Sequence, residues 1–176
     1  MTTIFNEEQV WRLFDDNLIQ AQNKLTEIDV FCGQKAKFAG LSGWVFEQTI
    51  AHCIIQELKA KGVNADVREQ VSLGGRAKAD LAIGAVAIEL KTSGLFGMGD
   101  VERYRKYKNA SEVQGFRRYL YLTWEETFLP YKDGLDQALG KNNVFYLKNN
   151  GEWQRVISVI LNEVSDTFGD SYKCIL

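Results

Sequence analysis

The stretch KADLAIGAVAIELKTSG, residues 78–94, decides how this chain folds. Two short apolar-rich runs flank Gly84-Ala85, and a glycine at the first turn position reads as a tight antiparallel hairpin. With the turn centred there, Ile83 pairs with Val86, Ala82 with Ala87, Leu81 with Ile88, and Asp80 with Glu89. Side chains alternate along a strand, so Leu81, Ile83, Val86, Ile88 and Leu90 form a core face. The other face carries Asp80, Glu89 and Lys91 among the small Ala82, Ala85 and Ala87.

Like charges directly opposite on antiparallel strands are destabilising, so two carboxylates placed there need a reason. A bound Mg²⁺ supplies one, because one or two carboxylates are its usual protein ligands. Lys91 lies two residues past Glu89, roughly 6.6 Å along the same face by strand rise. Its ammonium is placed to orient a water or to neutralise charge developing on a phosphoryl oxygen. The expected chemistry is metal-assisted hydrolysis of a phosphodiester.

Upstream, residues 42–61 read as a helix stopped by Gly62. Glu47 heads a stripe with Ile50, Ala51, Ile54 and Leu58 at helical spacing. A carboxylate on that stripe faces inward and is costly to bury unpaired, so Glu47 is expected to reach the Asp80 cluster. An earlier helix begins at Asn6, which forms a capping-box pattern with Gln9 and precedes apolar positions Val10, Phe14, Leu18, Ala21, Leu25 and Ile28. Strands are expected over 66–73 and 76–83, joined by Gly74-Gly75, and over 86–93. With the turn at Gly74-Gly75 Glu69 falls opposite Asp80, and with the turn at Gly84-Ala85 Lys78 falls opposite Lys91. A glycine-rich loop, GLFGMG, precedes a short polar helix from Asp100 to about Tyr107. RRYLYLTW (117–124) reads as an aromatic strand, YKDGLDQALG as a short helix or loop, and NVFYLKN as a last strand. A turn at Asn150-Gly151 leads into a closing segment, WQRVISVI. This order describes an α/β or α+β domain, with a mixed central sheet flanked by helices.

The chain has 176 residues, 45% of them hydrophobic, which suits a single domain over residues 1–176 with an N-terminal helix (1–31) packed on or beside the core. The formal net charge is -2, so a whole-chain basic signature for nucleic acid is absent. Charge is nonetheless segregated. Residues 59–78 carry five basic and two acidic side chains, and residues 101–118 carry six and two. Residues 1–31 carry two basic and six acidic. Lys78, Arg103, Arg105 and Lys106 are therefore candidate phosphate contacts, although solvated faces explain the same pattern. Three scattered cysteines without a CxxC pair fit a reducing, cytoplasmic setting. The acidic N-terminus reads as no signal peptide, and no apolar run is long enough for a membrane span. His52 is the only histidine, which excludes a His-rich zinc site; its helical position reads as packed or at a boundary. The tryptophans 44, 124 and 153, with Phe116, Tyr119 and Tyr121, read as core and strand faces.

The helix bearing Glu47, the Asp80 hairpin, the ELK of residues 89–91, and the helix and strand that follow resemble the PD-(D/E)xK nuclease superfamily. The resemblance covers roughly residues 42–124. It departs from the motif at Ala79, where proline often stands, and it lacks the glutamine-tyrosine helical motif of the exonuclease-like branch. It implies a restriction-endonuclease-like core and a metal-dependent deoxyribonuclease. Asp80, Glu89 and the main-chain carbonyl of Leu90 would hold Mg²⁺, with Mn²⁺ a substitute. Glu47 would contribute directly or through water, and Lys91 would be the catalytic lysine. The products would be a 5′-phosphate and a 3′-hydroxyl. The whole chain is similar to the small cleavage subunit of a heterodimeric type IIS restriction endonuclease. That similarity implies cutting one strand of double-stranded DNA beside a larger DNA-recognition subunit. A homodimeric restriction enzyme, a repair or recombination nuclease, and a non-catalytic nucleic-acid-binding module of the same fold are the alternatives.

Overall fold

The computed structural model describes residues 2–32 and 40–171. In chain order the elements are α1 (Glu7–Cys32), α2 (Leu41–Ala60), β1 (Val67–Gly74), β2 (Ala77–Ile83), β3 (Val86–Lys91), α3 (Met98–Val113), β4 (Arg118–Thr123), α4 (Leu129–Leu139), β5 (Val144–Tyr146) and α5 (Glu152–Ser171). The five strands form one sheet in the order β1-β2-β3-β4-β5. The pairs β1/β2 and β2/β3 are antiparallel, whereas β3/β4 and β4/β5 are parallel. This is an α/β fold with a mixed sheet flanked by helices. Among the described residues, no helix is long and apolar enough to cross a membrane.

Two apolar layers hold the sheet. On one side, Leu81, Ile83, Val86, Ile88 and Leu90 pack with Val10 and Phe14 of α1, Ile50 and Ile54 of α2, and Trp153 and Ile157 of α5. On the other, Ala87, Tyr119 and Tyr121 pack with Tyr104 of α3 and Leu135 and Leu139 of α4. The hairpin face that bears Glu89 is therefore covered too, with Ala82 and Ala87 fully buried.

The capping box forms as expected. The Asn6 N–H donates to Gln9 Oε1 at 2.9 Å, and the Gln9 N–H donates to Asn6 Oδ1 at 2.9 Å. These reciprocal bonds satisfy N–H groups at the start of α1. α2 ends where Gly62 takes a φ of 70°, a left-handed position that lets the Val63 N–H reach back to Leu58 O at 2.9 Å. His52 is exposed on α2, and Trp44 is half exposed, so neither is a core residue.

Three elements differ from expectation. α3 spans sixteen residues, not eight; it buries only Val101, Tyr104 and Ser111, too sparse a stripe to announce its length. WQRVISVI begins a twenty-residue helix, α5. Its β-branched residues suit a strand, but Trp153, Val156, Ile157, Ile160, Leu161 and Val164 recur at helical spacing and are all buried. The first hairpin turns at Gly75-Arg76 rather than Gly74-Gly75, because Gly74 stays in the ladder opposite Ala77 after a bulge. Glu69 consequently lies opposite Leu81, and Lys78 opposite Ser72; the expected pairing of Lys78 with Lys91 does not form, because the β2/β3 ladder ends at Leu81↔Ile88.

That register exposes a joint in the first hairpin. Odd residues of one regular strand share a face. In β1, however, Val67 packs into the first apolar layer and Leu73 into the second. In β2, Ala79 belongs to the second layer and Leu81 to the first. Both strands switch faces at one level. Gln70 lies there in β1 with a φ of 50°, the one non-glycine residue with positive φ among those described, and Asp80 lies across from it.

Candidate active site

The predicted second hairpin holds for its first three pairs, Ile83↔Val86, Ala82↔Ala87 and Leu81↔Ile88, and then opens. Asp80 and Glu89 do not continue the ladder, which corrects the expected fourth pair. Direct opposition would set two carboxylates against each other. Instead β2 peels away at the joint, and the Leu90 N–H that a strand partner would have taken donates to Asp80 Oδ2 at 2.8 Å. A carboxylate thus replaces a ladder carbonyl, and the fork between β2 and β3 becomes a polar niche.

Three oxygens meet one cation in this niche. Lys91 Nζ lies 2.6 Å from Glu89 Oε1, 3.4 Å from Asp80 Oδ2 and 3.0 Å from the main-chain oxygen of Leu90. The niche is mostly dry, with Glu89 only 5% exposed. Burial, and then the Asp80 charge, push the Glu89 carboxyl up to about 7 against the opposing pull of Lys91. Burial draws the Lys91 ammonium down, but Glu89 and Asp80 outweigh it and hold its pKa above the ordinary lysine value. The dominant effect on Glu89 is desolvation, so its negative charge is held at a cost in the protein alone.

Glu47 reaches the same niche from α2. The Gln70 amide nitrogen donates to Glu47 Oε2 at 3.1 Å and, more weakly, to Asp80 Oδ1 at 3.5 Å. Burial and the neighbouring Asp80 both raise the Glu47 pKa. Asp80 therefore shares its two oxygens, Oδ2 toward Leu90 and Lys91, Oδ1 toward Gln70. Glu69 turns elsewhere and accepts from Gln48 Nε2 at 2.8 Å.

The four basic candidates separate. Arg103 pairs with Asp100 at 2.9 Å and donates to the Tyr104 hydroxyl at 3.0 Å, and its charge lowers the Glu89 pKa. Arg105 and Lys106 instead lie on the outer face of α3, where both pair with Glu102. Lys78 is exposed on the hairpin arm beyond the joint. Of the four, Arg103 is the one whose charge acts on a carboxylate of the niche, Glu89.

Sequence reasoning missed Gln70, Tyr104 and Tyr119. Tyr104 is buried and electrostatically coupled to both Lys91 and Glu89, and the Tyr119 hydroxyl makes a long 3.5 Å bond to Glu89 Oε2. The aromatic alternation in YLY marked Tyr119 as inward-facing, but only the parallel pairing of Glu89 with Tyr121 fixes which residue it meets. Nothing local in EQVS announces a left-handed glutamine.

The oxygen set can be tested against a hard divalent cation. Two carboxylate oxygens and one carbonyl oxygen already surround a single positive atom, which is the donor chemistry Mg²⁺ takes from proteins while keeping several waters. No group of three or more His, Cys, Asp or Glu side chains that could hold a metal exists among the described residues. The fit is thus to a cation bound by few side chains, not to a closed protein cage. A separate cleft of about 520 Å³ sits at the turn end of the hairpin, lined by Asp66, Arg68, Gly84, Gln114 and Phe116 among others, and contains none of the residues of the niche. No protein-family model, curated protein or solved structure matches this chain.

Proposed function

We propose that this chain is a Mg²⁺-dependent DNA endonuclease of the PD-(D/E)xK kind, with a restriction-endonuclease-like core, that cleaves one strand by phosphodiester hydrolysis. The observation that carries this reading is the convergence of Asp80 Oδ2, Glu89 Oε1 and Leu90 O on Lys91 Nζ. Asp80, Glu89 and the Leu90 carbonyl would hold the cation, with Glu47 beside them. When bound, Mg²⁺ lowers the pKa of a coordinated water and polarises the phosphate.

The residues supply the rest. In the protein alone, the Lys91 ammonium is neutralised by two carboxylates and is not free to act on a substrate. Once their charge is matched otherwise, Lys91 is a half-buried donor that can orient the attacking water and neutralise the phosphoryl oxygens. Water forms the new P–O bond as the bond to the 3′ oxygen breaks. A proton reaches that leaving oxygen, giving a 3′-hydroxyl and a 5′-phosphate. Arg103 would meet the phosphate beside the scissile one. DNA as substrate rests on the motif resemblance of residues 42–124, and a larger sequence-reading subunit as partner rests on the resemblance of the whole chain to a restriction-enzyme cleavage subunit.

Two measurements test this. Mn²⁺ binding to the isolated chain, followed by calorimetry, should be lost in D80A and in E89A. Supercoiled DNA with Mg²⁺ should be nicked by the wild type, alone or with its recognition subunit, and not by K91A. Mn²⁺ binding unchanged in D80A, or nicking unchanged in K91A, would sink the proposal.

A further inference from the structure

Gln70 is the side chain at the joint whose conformation needs an explanation. Its φ of 50° lies in the left-handed region, which a residue with an unbranched five-atom side chain rarely adopts. Glycine or asparagine would satisfy that backbone at lower cost, about 1 kcal/mol or more per residue. Such outliers persist where the surroundings over-determine them, and they concentrate at functional sites. The amide shows what over-determines this one. It reaches Glu47 on α2 at 3.1 Å and Asp80 on β2 at 3.5 Å, and so joins two carboxylates that stand on separate elements.

We propose that Gln70 is a positioning residue. With Oδ2 already held by the Leu90 N–H, its amide holds Oδ1 and so completes the setting of the Asp80 carboxylate plane, and it sets Glu47 at the mouth of the niche. The left-handed backbone delivers the amide there, because a regular strand residue at this level would point to one face only. Neutral –NH₂ suits the task. It donates to two anions without adding a positive charge that would compete with a divalent cation, and it adds no third negative charge. A glycine keeps the joint but removes the amide that joins Glu47 to Asp80, leaving Asp80 held through Oδ2 alone. This proposal rests on the nuclease reading above.

The experiment separates backbone from side chain. Q70G relieves the left-handed backbone and removes the amide, while Q70N suits the backbone and shortens the reach by one methylene. Each is compared with wild type and D80A by thermal unfolding without metal, Mn²⁺ calorimetry, and kcat and KM for nicking. Q70G and Q70N should unfold at or above the wild-type temperature, bind Mn²⁺ about tenfold more weakly, and lose kcat at least tenfold with KM for DNA unchanged. Mn²⁺ binding in Q70G equal to wild type overturns the positioning role while leaving the nuclease reading intact. Wild type binding Mn²⁺ no better than D80A overturns both. Should Q70G fail to fold, Q70N decides by the same criteria.

Discussion

Replacing Glu89 by glutamine should stabilise the metal-free protein at pH 8 while removing cation binding. Glu89 is 5% exposed, and its carboxyl is pushed up to about 7 from the ordinary 4.5. A carboxyl whose pKa is raised on folding binds its proton more tightly in the folded state. Its contribution therefore favours folding as pH falls from about 7 toward 4.5, and disfavours it above 7. The interval is worth about 3 kcal/mol at 1.36 kcal/mol per unit. Glutamine keeps the shape without the charge, so E89Q lacks this dependence. For a chain of this size, about 3 kcal/mol corresponds to about 6–12 °C in Tm. The assay is thermal unfolding in chelator at pH 8 and pH 5. Other carboxylates destabilise both proteins on acidification, so the informative quantity is the difference between the two variants. At pH 8 E89Q should unfold above wild type, and the gap should close toward pH 5. Excess Mg²⁺ at pH 8 should raise wild type and leave E89Q unmoved. A gap between wild type and E89Q that stays constant from pH 8 to pH 5 would refute the claim that burial of this charge dominates the niche.

R103A should raise the KM for DNA and flatten its salt dependence, because the Arg103 charge acts on Glu89, whereas R105A and K106A, on the outer face of α3, should change neither; nicking at 50 and 200 mM salt distinguishes them. E57A should cost at least about 3 kcal/mol in urea unfolding, since the fully buried Glu57 carboxylate accepts the N–H groups of Ile4 and Phe5 and the Trp153 indole N–H. Its Mn²⁺ affinity at 10 °C should stay at the wild-type value. Gly94→Ala should lower Tm and reduce kcat, because a Cβ there would stand 2.9 Å from Glu126 O and 3.1 Å from Thr127 Cα, prising the loop after Lys91 off its support. Unaltered Tm and kcat in that variant would show the loop to be independent of the niche.

How much could be read from the chain follows how local each signal is. The capping box and the Gly84 turn are governed by neighbours within four residues, and both formed as expected. The core face of the second hairpin followed from alternation, and three of its pairs held. The fourth failed because a strand pattern carries no term for what a side chain does when the ladder ends; Asp80 took the place of a backbone acceptor. Glu47 was legible as an inward carboxylate because its helical stripe is regular. Gln70 was illegible because its role depends on a register two strands wide and a bulge nearer the turn. Glu57 reads as an ordinary helix-surface residue, and only the arrival of residues 4, 5 and 153 makes it a buried acceptor. α5 was obscured by composition, its β-branched residues masking a period that extends only when read through Val164.

Glu57 has a consequence for how the molecule comes apart. Its donors lie 53, 52 and 96 residues away along the chain. The first turn of α5 is tied to α1 as well, through the Trp153 N–H and Glu7 Oε1 at 3.0 Å. Fraying at one end of the chain thus strips an acceptor from the other and admits water to a charge at the centre. Segments so linked open in a single cooperative step rather than one after another. The beginning of α1 and the beginning of α5 should accordingly exchange their amide hydrogens at a common rate, set by the stability of the whole layer rather than by their nearness to a terminus.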